Sequence, residues 1–247
     1  MLEIIGLCAT YGKKQVLFDI NTSLGRGKFT AIIGRNGSGK STLLSCLASS
    51  IRYSGKILLD GRAVSEFKKR DLAKKISYLP QNLPSTPFTV RESAAFGREP
   101  YTDLSGKLTD EDKKAVADAL ERCGISHLSE KRMNEISGGE RQMAYLSMML
   151  AQNADIMLLD EPTTYMDAPN AREFMRILTE ERDQGKSVVA VMHDLTQAVK
   201  YADDILLIEE GKAVFFGTKE ECLAEKAIER VMCVESNMIE DGRIVFI

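Results

Sequence analysis

Gly34-Arg35-Asn36-Gly37-Ser38-Gly39-Lys40-Ser41 stands between the apolar run Phe29–Ile33 and the stretch STLLSCLAS at 41–49. This is the pattern GxxxxGK[ST] set between a predicted strand and a predicted helix, the context in which it binds phosphate. Its glycines let the backbone curl so that several N–H groups point inward, at the positive end of the helix that follows. Lys40 is placed to bridge the β- and γ-phosphates of a nucleotide, and the Ser41 hydroxyl to ligate Mg²⁺. The stretch predicts a nucleoside-triphosphate site on an α/β fold.

The sequence on either side agrees. Short apolar runs alternate with helical patterns, as in a domain built on a largely parallel sheet. The predicted strands are Phe29–Ile33, Lys56–Leu59, Ile76–Leu79, Ile156–Leu159, Val188–Met192, Ile205–Ile208 and Ala213–Phe216. Runs such as IMLLD and SVVAVM lack alternation, as strands covered on both faces do. Between 83 and 152 the strand pattern disappears, and a helical subdomain is expected there as an insertion in a core of 1–82 and 153–247. Thr109 with Asp112, Ser137 with Glu140 and Thr218 with Glu221 have capping-box spacing and predict helix starts. Asp241-Gly242 predicts a turn between two short terminal strands.

Ile156-Met-Leu-Leu-Asp160-Glu161 places two carboxylates at the end of a buried strand, where ligands gather in open α/β sheets. Asp160 is expected to hold Mg²⁺, through water, and Glu161 to face the attacking water as general base or water-orienting group. Ser137-Gly138-Gly139-Glu140-Arg141-Gln142 forms a second helix start with exposed backbone N–H groups, a second anion-binding end. One phosphate loop already covers a triphosphate from one side, so the second site is most easily used on another molecule's nucleotide. His193 ends the run SVVAVM beside this chemistry, and a neutral imidazole there is suited to the γ-phosphate and to organising Glu161 and the water.

With these motifs in this order, the chain resembles the ATP-binding cassette (ABC) ATPases over nearly its whole length. GRNGSGKST, from Gly34 through Asn36, Gly37, Ser38, Gly39, Lys40 and Ser41 to Thr42, is similar to the family's phosphate loop. ISGGERQ is similar to its signature, with Ile136 and Glu140 departing from the usual Leu and Gln, and IMLLDEP to its Mg²⁺-and-base strand. Tyr11 resembles the adenine-stacking aromatic, Gln81 the glutamine that reaches Mg²⁺ and the attacking water, Asp167 the D-loop aspartate and His193 the switch histidine. The resemblance implies ATP and Mg²⁺ as cofactors. It also implies an N-terminal β subdomain and a head-to-tail dimer holding each ATP between one phosphate loop and the partner copy's Ser137-Gly138-Gly139. Permease subunits docking near Leu83–Tyr101, and indirectly a substrate-binding protein, are further implied partners, at the cytoplasmic face of a bacterial-type membrane. YLPQ, FGREPY, DEPTTYMD and HDLTQAVKYAD look like the ATPases of iron–siderophore importers, with haem and cobalamin importers next. The rival readings are a soluble cassette protein without a transport role and a small-molecule kinase, which has no use for the Ser137 helix end.

Composition sets the outer limits. The chain has 247 residues, 33 Lys+Arg and 36 Asp+Glu, for a formal charge of −3. That balance argues against a general nucleic-acid binder, which needs a basic surface. MLEIIGLCAT has no basic segment leading into an apolar stretch, and no run approaches the roughly 18 to 20 apolar residues of a membrane span. The five cysteines are never spaced as CxxC, which favours reduced thiols, and two histidines are too few for a multi-His metal centre.

Overall fold

The computed structural model describes residues 1–103, 106–238 and 244–246. The chain opens with a hairpin, β1 (Leu2–Tyr11) and β2 (Lys14–Leu24), followed by β3 (Phe29–Ile33), the phosphate-loop segment and helix α1 (Lys40–Leu47). β4 (Ser54–Leu59) and β5 (Arg62–Ala63) join β1 and β2 in a four-stranded sheet of order β2-β1-β4-β5, antiparallel throughout. The predicted strand Lys56–Leu59 therefore lies outside the parallel sheet, paired to β1. Short α2 (Lys69–Ala73) leads into β6 (Ile76–Leu79).

Between β6 and the next strand, the described residues form helices: α3 (Val90–Ala95), a 3₁₀ turn over Phe96–Tyr101, α4 (Asp110–Arg122), a 3₁₀ turn over Ser126–Leu128 and α5 (Gly138–Gln152). The isolated bridge Thr89–Arg132 ties the entry of this stretch to its second half. The chain then runs through β7 (Ile156–Asp160), α6 (Ala168–Asp183), β8 (Ser187–Val191), α7 (Leu195–Tyr201), β9 (Asp204–Glu209) and β10 (Lys212–Thr218). It closes with α8 (Lys219–Ala224), α9 (Ala227–Met232), β11 (Ser236–Met238) and β12 (Ile244–Phe246). β11 and β12 pair antiparallel, and the predicted Asp241-Gly242 turn lies outside the described residues.

The second sheet has the order β10-β9-β3-β8-β7-β6, parallel except for the β10 edge. β3, β7 and β8 are buried at every residue, which explains their unbroken apolar sequences. The two-residue strand period then sorts them onto two cores. Phe29, Ala31 and Ile33 join the core shared with α3 to α6, while Ile32, Leu158, Val189 and Val191 join the core of α1 and the antiparallel sheet. β3 is the point at which the chain, having gone to β6 and returned through β7 and β8, passes to the other side as β9. Loops at the carboxyl ends of β3, β7 and β8 thus converge, the position where such sheets bind ligands.

All three predicted capping boxes form, each with both reciprocal hydrogen bonds. In α4 the box is also an ion pair. Asp112 accepts from the Thr109 N–H at 3.0 Å and hydroxyl at 2.7 Å, and from Arg98 Nε at 2.8 Å, with the Arg98 and Asp112 side chains 14% and 4% exposed. The Thr109 hydroxyl, and after it Arg98, hold the Asp112 carboxyl below the usual carboxylate range. A carboxylate depressed in the folded chain contributes stability that is fully present above its unfolded pKa of about 3.9 and is lost as pH falls through the folded value. Asp112→Asn is expected to cost about 3 kcal/mol at neutral pH, because it takes the counter-charge from the largely buried Arg98 guanidinium, which still donates to the Ala151 carbonyl. Urea unfolding of parent and variant should show the gap narrowing below about pH 4, and a gap independent of pH would contradict the assignment.

The cysteines are unpaired. Burial pushes the thiols of Cys46, Cys123 and Cys222 up to about 12, which leaves them protonated and unreactive at neutral pH.

Candidate functional site

A cleft of about 410 Å³ is lined by Val16, Asn36, Gly37, Gly39, Lys40, Ser41, Thr42, Gln81, Glu161 and His193. Its floor is the loop between β3 and α1. At Gly34 a Cβ would lie 2.1 Å from the Ile208 carbonyl oxygen, and Gly39, at φ +105°, caps α1 in the left-handed region that favours glycine. Lys40 is buried at 5% exposure and donates from Nζ to the carbonyls of Gly34 at 2.8 Å and Arg35 at 3.0 Å. Burial lowers its pKa, and the nearby Glu161 and Asp160 oppose that shift. The Ser38 hydroxyl is buried without a hydrogen-bond partner, although Ser38 N and O are both engaged, with Arg35 and Gly211.

The acid residues enter from β7. Asp160 is buried and accepts from the Ser41 hydroxyl at 3.1 Å. Burial raises its carboxyl above the ordinary range, and the Ser41 hydrogen bond and Lys40 work against that rise. A hydroxyl and a carboxylate at this spacing, all oxygen, suit a Mg²⁺ ion. Glu161 begins the turn after the strand at φ +51° and donates its N–H to the Val191 carbonyl at 3.2 Å. Its carboxylate is held on both oxygens: Gln81 Nε2 reaches Oε2 at 2.6 Å and His193 Nε2 reaches Oε1 at 2.6 Å. Strand ends of β6, β7 and β8 thus bring Gln81, Glu161 and His193, distant in sequence, to one point above the phosphate loop.

The remaining predicted residues lie elsewhere. Tyr11 ends β1, is 54% exposed and stands outside the lining of this cleft, where Val16 of β2 is the neighbouring contributor. Ser137 caps α5, accepting from Glu140 N at 3.3 Å and donating its own N–H to the Glu140 carboxylate at 2.8 Å. Gly138 lines a second hollow of about 290 Å³ with Gln81, Asn82, Leu83, Arg141, Gln142 and Tyr165. Asp167 caps α6, accepting from Asn170 N at 3.0 Å. Ser137, Gly138, Gly139 and Asp167 are absent from the phosphate-loop cleft of their own chain.

Three residues escaped the sequence reading. Val16 carries no motif signal. Gln142, 3% exposed in α5, donates to the Pro162 carbonyl at 2.6 Å and so ties the Ser137 helix to the Glu161 turn. Its signal was a polar side chain on the buried face of an amphipathic helix. Thr164 donates its hydroxyl to Glu161 Oε2 at 3.4 Å.

The sequence profile of ABC transporters matches residues 17–164. The chain belongs to the ABC transporter family. It is an ATPase whose hydrolysis is coupled to transport, and ATP is its nucleotide. The ATPase is 39% identical to the ferric enterobactin transport ATP-binding protein of Escherichia coli strain K12, over 94% of this chain and 86% of that one. It is 34% identical to the iron(3+)-hydroxamate import ATP-binding protein of Bacillus subtilis strain 168, over 94% and 88%. Among solved structures it is similar to a subunit of an ABC transporter complex from Clostridium perfringens, at 30% identity and TM-score 0.78 over 93% and 92% of the two chains.

Proposed function

We propose that this ATPase is the motor subunit of a membrane importer for iron–siderophore complexes. The cargo assignment is carried by the similarity, along nearly the whole chain, to ATP-binding proteins named for ferric enterobactin and iron(3+)-hydroxamate. The chemistry is carried by the Glu161 carboxylate, held by Gln81 and His193 at the mouth of the phosphate loop. Lys40 and the backbone from Gly34 to Thr42 bind the β- and γ-phosphates, and Tyr11 stacks on the adenine. Ser41, Asp160 and, after it leaves Glu161, Gln81 hold Mg²⁺, which neutralises charge on the phosphate oxygens when bound. Glu161 takes a proton from water as the water oxygen bonds to the γ-phosphorus. The bond to the β–γ bridging oxygen breaks, and ADP leaves with that electron pair. His193 keeps Glu161 oriented.

The reading includes a head-to-tail dimer. Ser137-Gly138-Gly139 and Asp167 stand apart from their own chain's cleft, which supports their acting on the nucleotide of a second copy. No helix among the described residues is long and apolar enough to cross a membrane, and separate permease subunits supply the pathway. In this reading the ATPase sits at the cytoplasmic membrane face and cooperates indirectly with a substrate-binding protein. The permease docks near Leu83–Tyr101. Phe88 and Phe96 in that stretch are 44% and 48% exposed and stack edge to face at 5.1 Å. Phe96→Ser is expected to lower iron-chelate uptake about tenfold while ATP affinity stays within about twofold. Parallel loss of ATP binding and uptake would overturn this docking assignment.

A further inference from the structure

The Glu161 carboxylate has a third holder. Oε1 is taken by His193, while Oε2 is shared by Gln81 Nε2 at 2.6 Å and the Thr164 hydroxyl at 3.4 Å. A carboxylate oxygen accommodates two donors, and at 3.4 Å the hydroxyl is the looser of the two, at the outer edge of hydrogen-bond distance. The backbone delivers Thr164 to this position. Glu161 lies in the left-handed region, and its carbonyl accepts the Thr164 N–H at 3.4 Å, so the turn folds the threonine back over the carboxylate it follows. The buried amide of Gln142 fixes the middle of that turn through the Pro162 carbonyl. Thr164 itself is exposed, and among the described residues its hydroxyl bonds to this carboxylate.

We propose that Thr164 is a positioning residue for Glu161. The two donors on Oε2 are not equivalent. Gln81 comes from the segment after β6 and also lines the second hollow beside Gly138 and Tyr165, so it answers to whatever moves there. Thr164 lies three residues from Glu161 in one anchored turn and travels with it. When Gln81 turns from Glu161 to the nucleotide, Oε2 loses its shorter bond, and the rotatable Thr164 hydroxyl closes onto it. The carboxylate then keeps its aim at the water during the step that needs it. This inference rests on Glu161 acting as the general base.

The test is steady-state hydrolysis by the full-length chain at saturating Mg²⁺ and ATP, with Thr164→Val, Thr164→Ser and Glu161→Gln measured in parallel. Thr164→Val is isosteric and exposed, so folding is spared. It should lower kcat about 5- to 10-fold with KM for ATP within about twofold, and Thr164→Ser should restore kcat. In a Gln81→Ala background the same Thr164→Val change should cost about the same factor as it does alone, because Gln81 has already left Oε2 at the step that Thr164 serves. A rise in KM at unchanged kcat, failure of serine to rescue, or a Thr164→Val effect that vanishes in the Gln81→Ala background would overturn the assignment. Lost turnover in Glu161→Gln beside full kcat in Thr164→Val overturns the Thr164 role alone. Retained turnover in Glu161→Gln overturns the base assignment beneath it.

Discussion

Glu161→Gln is expected to lower kcat for ATP hydrolysis by about 10²- to 10⁴-fold, the range of a lost general base, and to leave ATP affinity within about twofold. The amide has the carboxylate's shape but cannot take a proton from water. The groups proposed to bind nucleotide are untouched: Lys40 still sits on the Gly34 and Arg35 carbonyls, and Ser41 still meets Asp160. Binding without turnover should therefore trap two chains on their shared nucleotides. Size-exclusion chromatography with ATP and Mg²⁺ should show an ATP-dependent dimer in the variant that the parent does not accumulate. Normal turnover in this variant would remove Glu161 from the chemistry.

Lys40→Ala should fail one step earlier, at binding. A charge-assisted contact to phosphate contributes about 1.5–3 kcal/mol, so ATP affinity should fall about 10- to 100-fold, read by equilibrium titration with a fluorescent ATP analogue. Burial works against the Lys40 ammonium while Glu161 and Asp160 support it. Loss of affinity with an unchanged unfolding transition would separate binding from folding, and unchanged affinity would count against the phosphate-loop assignment.

Features set by neighbouring residues were legible in the sequence. The boxes at Thr109, Ser137 and Thr218 are satisfied within three residues of each cap, and so they appear where their spacing predicts. The continuous apolar strands β3, β7 and β8 were equally plain, because burial on both faces leaves no other residue type acceptable. The N-terminal hairpin was less visible as strands. β1 pairs with β2 through three register shifts and with β4 through another, and Gly6 adopts φ +58°, so strict alternation is broken along its length. The Thr89 capping box was hidden in the Pro-containing stretch before α3, and Asp167 was read for the D-loop although it also caps α6, with Pro169 in the first turn.

The motif residues of the site were named from sequence, but their mutual geometry was not. Gln81 was expected near Mg²⁺ and the attacking water, and His193 at the γ-phosphate and Glu161; both are found on the Glu161 carboxylate. Nothing in a strand-end glutamine or histidine says which neighbour it will bind, since that depends on the order β8-β7-β6 setting three strand ends side by side. Gln142 and Thr164 were missed for the same reason. Each acts through a contact with the 161–164 turn, and that turn exists because Glu161 leaves its strand in a left-handed conformation.

The central claim is that this ATPase drives iron–siderophore import, and uptake tests it most directly. Cells lacking the chain should be complemented with the parent or with Lys40→Ala and given radiolabelled iron–siderophore complex, haem or cobalamin. The parent alone should restore uptake of the iron–siderophore complex, with haem and cobalamin uptake unaffected. Iron–siderophore uptake that proceeds equally without the chain, or a defect confined to haem or cobalamin, would contradict it.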